Sequence, residues 1–166
     1  AVFEQMAARQ MVLSVDLGVG ETQASEMRAV ARAFPRLTVT LGHFAMAGRK
    51  DWLKQLALAE EPNVYVESGG ITWLFRGDGP PFPSAQEAVR QAVERVGAHK
   101  LMWGSDFPRT QVDFTYQQTL DFLATGCRFL SDVQRTAILG GTAARVFGFK
   151  RPTQSRQRPR KVTESD

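Results

Sequence analysis

Residues 101–108 read Leu-Met-Trp-Gly-Ser-Asp-Phe-Pro, and this stretch carries the strongest indication of the fold. A short apolar run ends in Gly-Ser-Asp, and Pro108 stops the strand because proline cannot donate to a sheet ladder. An aspartate at the carboxyl end of a buried strand is placed like a metal ligand or a general base of an α/β enzyme. The alternative is that Asp106 caps the next helix or stabilises a turn, as most Gly, Ser and Asp clusters do.

The same pattern of an apolar run followed by polar residues occurs three times upstream. The predicted strands are residues 11–16, 37–41, 63–66 and 100–104. Helical patterns follow at residues 22–34, 50–59, 84–96 and 112–124, and a last short helix runs through Phe147. Capping-box sequences at 84–87 (Ser-Ala-Gln-Glu) and 131–134 (Ser-Asp-Val-Gln) indicate two helix starts. Alternation of strand and helix at this spacing predicts βαβ units and a parallel sheet.

Ionisable side chains stand at the carboxyl ends of all four predicted strands. They are Asp16, His43, Glu67 with Ser68 beside it, and Asp106. Right-handed crossovers bring the carboxyl ends of parallel strands to one edge of the sheet, where α/β folds bind ligands. His99 precedes its strand, so we expect it at the surface on the opposite side. This placement favours a catalytic edge over a set of unrelated turns.

The composition is that of a globular domain followed by a charged tail. Of the 166 residues, 43% are hydrophobic and 23% charged, so we expect one domain with a substantial core. Residues 150–166 contain six basic and two acidic side chains, which accounts for the whole net charge of +4. We therefore predict a folded domain over residues 1–149 and a disordered basic tail over residues 150–166. Because the folded part is neutral, no specific nucleic-acid partner is expected.

Neither a membrane segment nor a signal peptide is predicted. No apolar run approaches the roughly 20 residues that a membrane helix needs, and residues 1–4 lack the basic start of a signal peptide. Cys127 is the sole cysteine, which excludes an internal disulfide and fits the reducing cytoplasm. Because no histidine or acid stands beside Cys127, we expect a buried structural thiol rather than a nucleophile.

Five segments carry a family resemblance. They are residues 14–18 (SVDLG), 41–44 (LGHF), 62–69 (PNVYVESG), 101–108 and 138–148 (ILGGTAARVFG). Together they resemble the amidohydrolase-related metal-dependent hydrolases, a branch of the amidohydrolase superfamily that includes lactonases and aromatic-acid decarboxylases. The resemblance implies an α/β fold, a partial (β/α)₈ TIM barrel containing about strands five to eight. The His-x-His motif of the family's first strand is absent, since His43 and His99 are the only histidines. The chain would therefore be either the C-terminal half of a longer protein or a truncated product, and we expect the former.

The resemblance also implies the metal chemistry. Asp106 is expected to be a metal ligand and the general base, and His43 to bind the metal or the developing oxyanion. Asp16 stands where the family often has a metal-binding histidine, and a carboxylate can also bind zinc or manganese. The expected cofactor is therefore a divalent metal, Zn or Mn.

Candidate substrate-binding residues lie at the same strand ends. Arg109 would bind a substrate carboxylate through two parallel hydrogen bonds, and a surface arginine paired with an acid is an equally good interpretation. Trp103 and Trp73 are candidate pocket walls, with a place in the core as the alternative. Glu67 and Ser68 complete the expected set.

The implied function is metal-dependent hydrolysis of a lactone, or of another cyclic ester or amide of a small organic acid. Non-oxidative decarboxylation of an aromatic or enoic acid is the alternative within the family. A third hypothesis is a catalytically inactive half-barrel, because four strands leave two unpaired edges that a partner half or a homo-oligomer would have to cover. The expected partners are a small organic acid or lactone, and no membrane.

Overall fold

A four-stranded parallel sheet with strand order β1-β2-β3-β4 lies at the centre of the computed structural model. The structure describes residues 2–18 and 21–149. The strands are β1 (Val12–Val15), β2 (Thr38–Leu41), β3 (Val64–Glu67) and β4 (Leu101–Met102). The four predicted strands and their parallel pairing are confirmed. The predicted disordered tail lies outside the described residues.

Helices connect the strands of the sheet. Those of the described ranges are α1 (Val2–Ala8), α2 (Glu21–Ala33), α3 (Trp52–Leu56), α4 (Ile71–Leu74), α5 (Pro83–Val96), α6 (Tyr116–Asp121), α7 (Asp132–Thr136) and α8 (Thr142–Val146). Short 3₁₀ segments are Ala57–Glu60, Arg76–Asp78, Ala98–Lys100 and Arg109–Val112, and π turns are Phe122–Gly126 and Ala137–Gly141. Among these helices none has both the length and the apolar character needed to cross a membrane.

The two faces of the sheet have different roles. Val39, Val64 and Val66 are fully buried in the core, and Val39 pairs with Val64 in the ladder. Side chains alternate between the faces along a strand, so Tyr65 and Glu67 lie on the opposite face, and both are only partly buried. Glu67, the last residue of β3, therefore places its carboxylate on this second face at the carboxyl edge of the sheet.

Helix α5 has the predicted apolar stripe but not the predicted cap. Its buried residues are Ala85, Ala88, Val89, Ala92 and Val96. The helix begins at Pro83, with Phe82 as N-cap in a left-handed conformation (φ 58°), so the capping box predicted to begin at Ser84 is wrong. Proline suits the first helical position because it needs no acceptor for a backbone N–H. The backbone N–H of Ser84 instead donates to Asp78 Oδ2 at 2.8 Å.

Capping determines where two later helices begin. The helix predicted at residues 112–124 begins at Tyr116, because Thr115 and Gln118 form a reciprocal capping box there. The capping box predicted between Ser131 and Gln134 is confirmed. Each box satisfies two backbone N–H groups that would otherwise lack a partner.

Cys127 and Lys100 are among the buried residues of the described fold. Cys127 is inaccessible to solvent, and burial raises the pKa of its thiol to about 12, which confirms the predicted buried thiol. Lys100 donates from Nζ to the carbonyl oxygens of Glu61 (2.7 Å), Pro62 (3.0 Å) and Val64 (3.1 Å). Burial lowers the pKa of Lys100. This lysine therefore ties the start of β4 to the segment that enters β3.

Candidate active site

Three of the ionisable residues that follow the strands lie side by side at the carboxyl edge of the sheet. His43 lies between two aspartates: its Nε2 is 3.3 Å from Asp16 Oδ2, and its Nδ1 is 4.0 Å from Asp106 Oδ2. The side chains of His43 and Asp106 are 24% and 19% exposed, whereas that of Asp16 is 60% exposed. His99 is exposed, as predicted. The fold thus brings together residues that are up to 90 positions apart in the chain.

His43 begins a left-handed turn. Residues 43–46 all have positive φ angles, between 48° and 59°, and this conformation costs roughly 1–2 kcal/mol per residue for L-amino acids. Contacts around the turn must offset that cost. The His43 N–H donates to Glu67 Oε1 at 3.1 Å, His43 Nδ1 lies 3.3 Å from the Gly69 carbonyl oxygen, and Phe44 is buried. The orientation of the imidazole therefore depends on β3.

The Glu67 carboxylate binds backbone N–H groups of two different segments. Its Oε1 accepts the N–H of His43, and its Oε2 accepts the N–H of Gly69 at 2.8 Å. Burial raises the pKa of Glu67, and the two backbone N–H groups offset part of that effect. Both carboxyl oxygens are engaged, which favours a positioning role over the predicted contact with substrate.

Glycines make room for the carboxylates. A Cβ on Gly42 would collide with Asp16 Oδ1 and lie 3.5 Å from Glu67 Oε1. A Cβ on Gly104 would collide with Glu67 Oε2. These two positions follow β2 and β4 and flank the Glu67 carboxylate, so their lack of a side chain lets the acidic groups converge.

Asp106 is held by an indole. Trp73, on α4, donates its Nε1–H to Asp106 Oδ2 at 2.6 Å, and its ring meets the His43 ring edge-on with centroids 5.6 Å apart. Asp106 itself has a left-handed backbone (φ 52°). The carboxylate is therefore directed towards the cluster rather than serving as a helix cap.

Arg109 lies beside the cluster rather than within it. Its Nη1 donates to Asp113 Oδ2 at 2.9 Å, and its guanidinium carbon lies 4.9 Å from the centroid of the Trp73 ring. The side chain is 45% exposed. This combines both interpretations offered by the sequence: the arginine pairs with an acid and also borders the site.

Trp103 and Ser68 are placed elsewhere. Trp103 packs edge-on against Tyr116, with centroids 5.3 Å apart, and its Nε1–H donates to the Thr119 carbonyl oxygen at 3.4 Å. Ser68 is buried, and its Oγ accepts the N–H of Gly104 at 3.3 Å. Their contacts in the described structure support the helix and sheet packing, and Trp73 is the indole that contacts the cluster.

Two of the three predicted metal ligands are spaced like ligands of one ion. Bonds of about 2 Å in tetrahedral geometry separate two donor atoms by about 3.3 Å, and His43 Nε2 lies 3.3 Å from Asp16 Oδ2. Asp106 approaches the other ring nitrogen, so the three groups do not converge on one point. Within residues 2–18 and 21–149, no group of three His, Cys, Asp or Glu side chains is arranged to hold a metal ion. Among the described residues, Asp16 and His43 therefore fit as two ligands of one metal ion.

Sequence reasoning missed how the cluster is supported. It considered Trp73 only as a pocket wall, although the indole N–H binds a carboxylate 33 residues further along the chain. It assigned no role to Gly42 or Gly104. A glycine next to a predicted site residue, as Gly42 is to His43, is a usable signal because it permits close approach of neighbouring groups.

Comparison with known families identifies the family to which the chain belongs. The sequence model of the amidohydrolase family matches residues 1–149. The chain therefore belongs to the amidohydrolase family. This confirms the family resemblance predicted from five segments of the sequence.

Individual relatives extend beyond the matched region. Among curated proteins, an L-fucono-1,5-lactonase from Burkholderia ambifaria is 30% identical over 151 residues, covering 85% of this chain and 52% of the relative. An amidohydrolase from Burkholderia multivorans, crystallised with bound zinc, is similar with a TM-score of 0.70 at 24% identity, over 88% of this chain and 55% of that one. A 5-carboxyvanillate decarboxylase from Sphingomonas paucimobilis is similar with a TM-score of 0.63 at 20% identity, over 90% of this chain and 52% of that one.

The chain thus spans about half the length of the relatives that it matches. At these identities the structural likenesses show the fold alone. They confirm the α/β class, with the four-stranded parallel sheet corresponding to part of a TIM barrel.

Proposed function

We propose that this chain contributes to metal-dependent hydrolysis of a lactone, or of another cyclic ester or amide of a small organic acid. The observation that supports this proposal is the contact of His43 with Asp16 on one ring nitrogen and its approach to Asp106 on the other. The relative named as an L-fucono-1,5-lactonase supports a sugar-acid lactone as the first substrate to test.

Asp16 and His43 are the residues that would hold a divalent metal, Zn or Mn, since their donor atoms have the spacing of two ligands on one ion. When bound, such an ion supplies Lewis acidity, which polarises a carbonyl oxygen and lowers the pKa of water. Glu67 holds the His43 backbone so that the imidazole keeps its place beside Asp16.

Asp106 would serve as the general base. Its carboxylate is partly buried beside the imidazole, and Trp73 restrains it through Oδ2. A restrained carboxylate within reach of the substrate carbonyl removes a proton from the attacking water and returns it to the leaving alkoxide. Arg109 borders this position with an exposed guanidinium, which would pair with the carboxylate of an organic acid.

The test follows proton release from L-fucono-1,5-lactone and related lactones by the purified chain with added Zn²⁺ or Mn²⁺. Asp106→Ala should lower the rate by at least about 100-fold, the usual contribution of a general acid–base group. His43→Ala should also lower the rate, because it removes one of the two proposed metal ligands. Asp132→Asn, an exposed carboxylate on α7, is the matched control and should leave the rate unchanged. A rate that survives Asp106→Ala, or that is insensitive to chelation of the metal, would contradict the proposal.

Non-oxidative decarboxylation is the second candidate, supported by the fold shared with the 5-carboxyvanillate decarboxylase. The same preparation should therefore be assayed for release of CO₂ from aromatic carboxylic acids. Release of CO₂ without lactone hydrolysis would replace the first candidate by the second.

Completion of the site would require more strands. Four strands do not close a barrel, and in the described sheet β1 and β4 each pair with a single neighbour. We propose that a second copy of the chain, or a further barrel segment, covers these edges. Size-exclusion chromatography combined with metal analysis tests this: a metal-loaded dimer supports an assembled site, and a metal-free monomer supports the inactive half-barrel.

A further inference from the structure

Trp73 contacts both side chains to which the reaction is assigned. Its Nε1–H donates to Asp106 Oδ2 at 2.6 Å, and its ring meets the His43 ring edge-on. The same oxygen, Oδ2, is the one that faces His43 Nδ1 at 4.0 Å. No side chain within the described part of the molecule donates to Asp106 Oδ1, so the two oxygens of this carboxylate have different surroundings.

The backbone around Trp73 permits this contact. Gly70, just before α4, has φ 78°, and a Cβ there would collide with the Trp73 indole nitrogen and lie 3.1 Å from Asp106 Oδ2. Asp106 also has a positive φ, of 52°, a region that non-glycine residues adopt rarely and Asn, Asp and His more often than the others. Two unusual backbone positions therefore allow the indole and the carboxylate to approach.

Arg109 also contacts the indole ring. The Arg109 guanidinium carbon lies 4.9 Å from the Trp73 ring centroid, within the range of a cation–π contact. Asp113 fixes this guanidinium through a hydrogen bond of 2.9 Å. Rotation of the Trp73 ring away from Asp106 would lose both contacts.

We propose that Trp73 is the positioning residue of Asp106, binding Oδ2 so that Oδ1 is the oxygen that takes the proton from the attacking water. This proposal rests on the proposed hydrolase function. A charge-assisted hydrogen bond to one carboxyl oxygen limits rotation of the carboxylate and leaves the second oxygen in a defined direction. Trp73 acts through Asp106 and does not itself exchange a proton.

The contact is tested by NMR on the ¹⁵N-labelled chain. The three tryptophans each give one indole N–H signal, and Trp73→Phe identifies the one from Trp73. Asp106→Ala should move the Trp73 signal upfield, because a hydrogen bond to a carboxylate deshields the donated proton. Asp132→Ala, which changes an exposed carboxylate, should leave all three signals in place. This measurement requires neither substrate nor metal.

The consequence for catalysis is tested with Trp73→Phe, which keeps an aromatic ring and removes the N–H. With the lactone substrate, kcat should fall by about tenfold while KM changes less than about twofold, the pattern expected when a transition-state interaction is lost. Trp52→Phe, on α3, is the matched control and should change neither constant by more than about twofold.

The outcomes separate the two proposals. An unmoved Trp73 signal in Asp106→Ala, or an unchanged kcat in Trp73→Phe, overturns the positioning role. If Trp73→Phe does not fold, Trp52→Phe and Trp103→Phe identify the other two indole signals and thereby that of Trp73, so the NMR measurement still decides. A wild-type chain that hydrolyses no lactone although the Trp73 signal moves overturns the proposed function and leaves the Trp73–Asp106 contact established.

Discussion

The backbone N–H of His43 donates to Glu67 Oε1 at 3.1 Å, so a carboxylate on β3 holds the residue that follows β2. This bond supports a turn in which four consecutive residues have positive φ. The direction of the His43 side chain is therefore a property of two neighbouring strands rather than of its own segment.

Glu67→Gln tests this anchoring. A glutamine amide has one acceptor oxygen for two backbone N–H groups, so one of them loses its partner, and the free energy of unfolding should fall by about 1–3 kcal/mol. Lactone hydrolysis should fall as well, because His43 is no longer held. Urea denaturation and the hydrolysis assay measure both effects. Glu94→Gln on α5 removes an exposed carboxylate as control, and equal stability of the two variants would rule out the anchoring role.

Gly42→Ala and Gly104→Ala test the convergence of the carboxylates. The added methyl groups would collide with Asp16 or Glu67, and such overpacking typically costs about 1–3 kcal/mol. Gly77→Ala is the matched control, since a Cβ there has nothing within 4 Å, and its effect should stay within about 0.5 kcal/mol. Thermal or urea unfolding of the three variants gives the comparison. If Gly42→Ala and Gly77→Ala are equally stable, the crowding around Gly42 is absent.

Lys100→Met tests the buried ammonium group. Burial lowers the folded-state pKa of Lys100 below its ordinary value of 10.5, so between these two pKa values the unfolded chain binds more protons than the folded one. Stability of the wild type should therefore rise with pH through that window, and Lys100→Met should lack this increment. Urea denaturation at a series of pH values below 10.5 measures the slope of the unfolding free energy against pH. The exposed Lys50→Met variant should keep the wild-type slope, and a wild-type slope in Lys100→Met would contradict the prediction.

Cys127 should be unreactive in the folded chain. Its thiol is buried and its pKa is raised to about 12 by that burial, so very little thiolate exists near neutral pH. Labelling with a disulfide reagent should be at least about 100-fold slower in the folded chain than in urea. The absorbance of the released thiol follows both reactions. Rapid stoichiometric labelling without denaturant would show that the thiol is accessible.

The strands and the groups that follow them were predictable because both depend on local patterns. Apolar runs bounded by turn residues place the strands, and right-handed crossovers then bring Asp16, His43 and Asp106 to one edge. The start of α5 was not predictable in this way, because a proline and a capping-box serine compete at adjacent positions. Packing of Phe82 against Phe114 and Phe122, with ring centroids 4.9 and 5.9 Å apart, accompanies the start at Pro83.

The sequence by itself determined the alternation of strand and helix, the edge of the sheet at which ionisable groups gather, and the burial of Cys127. These properties follow from apolar periodicity and turn residues, which act over a few positions. Only the tertiary structure decided that Asp16 meets His43 Nε2, that Asp106 faces Nδ1, and that Trp73 binds Asp106. Contacts between groups 27 to 63 residues apart depend on strand register, left-handed backbone and the space left by glycines, and no local pattern encodes how these combine.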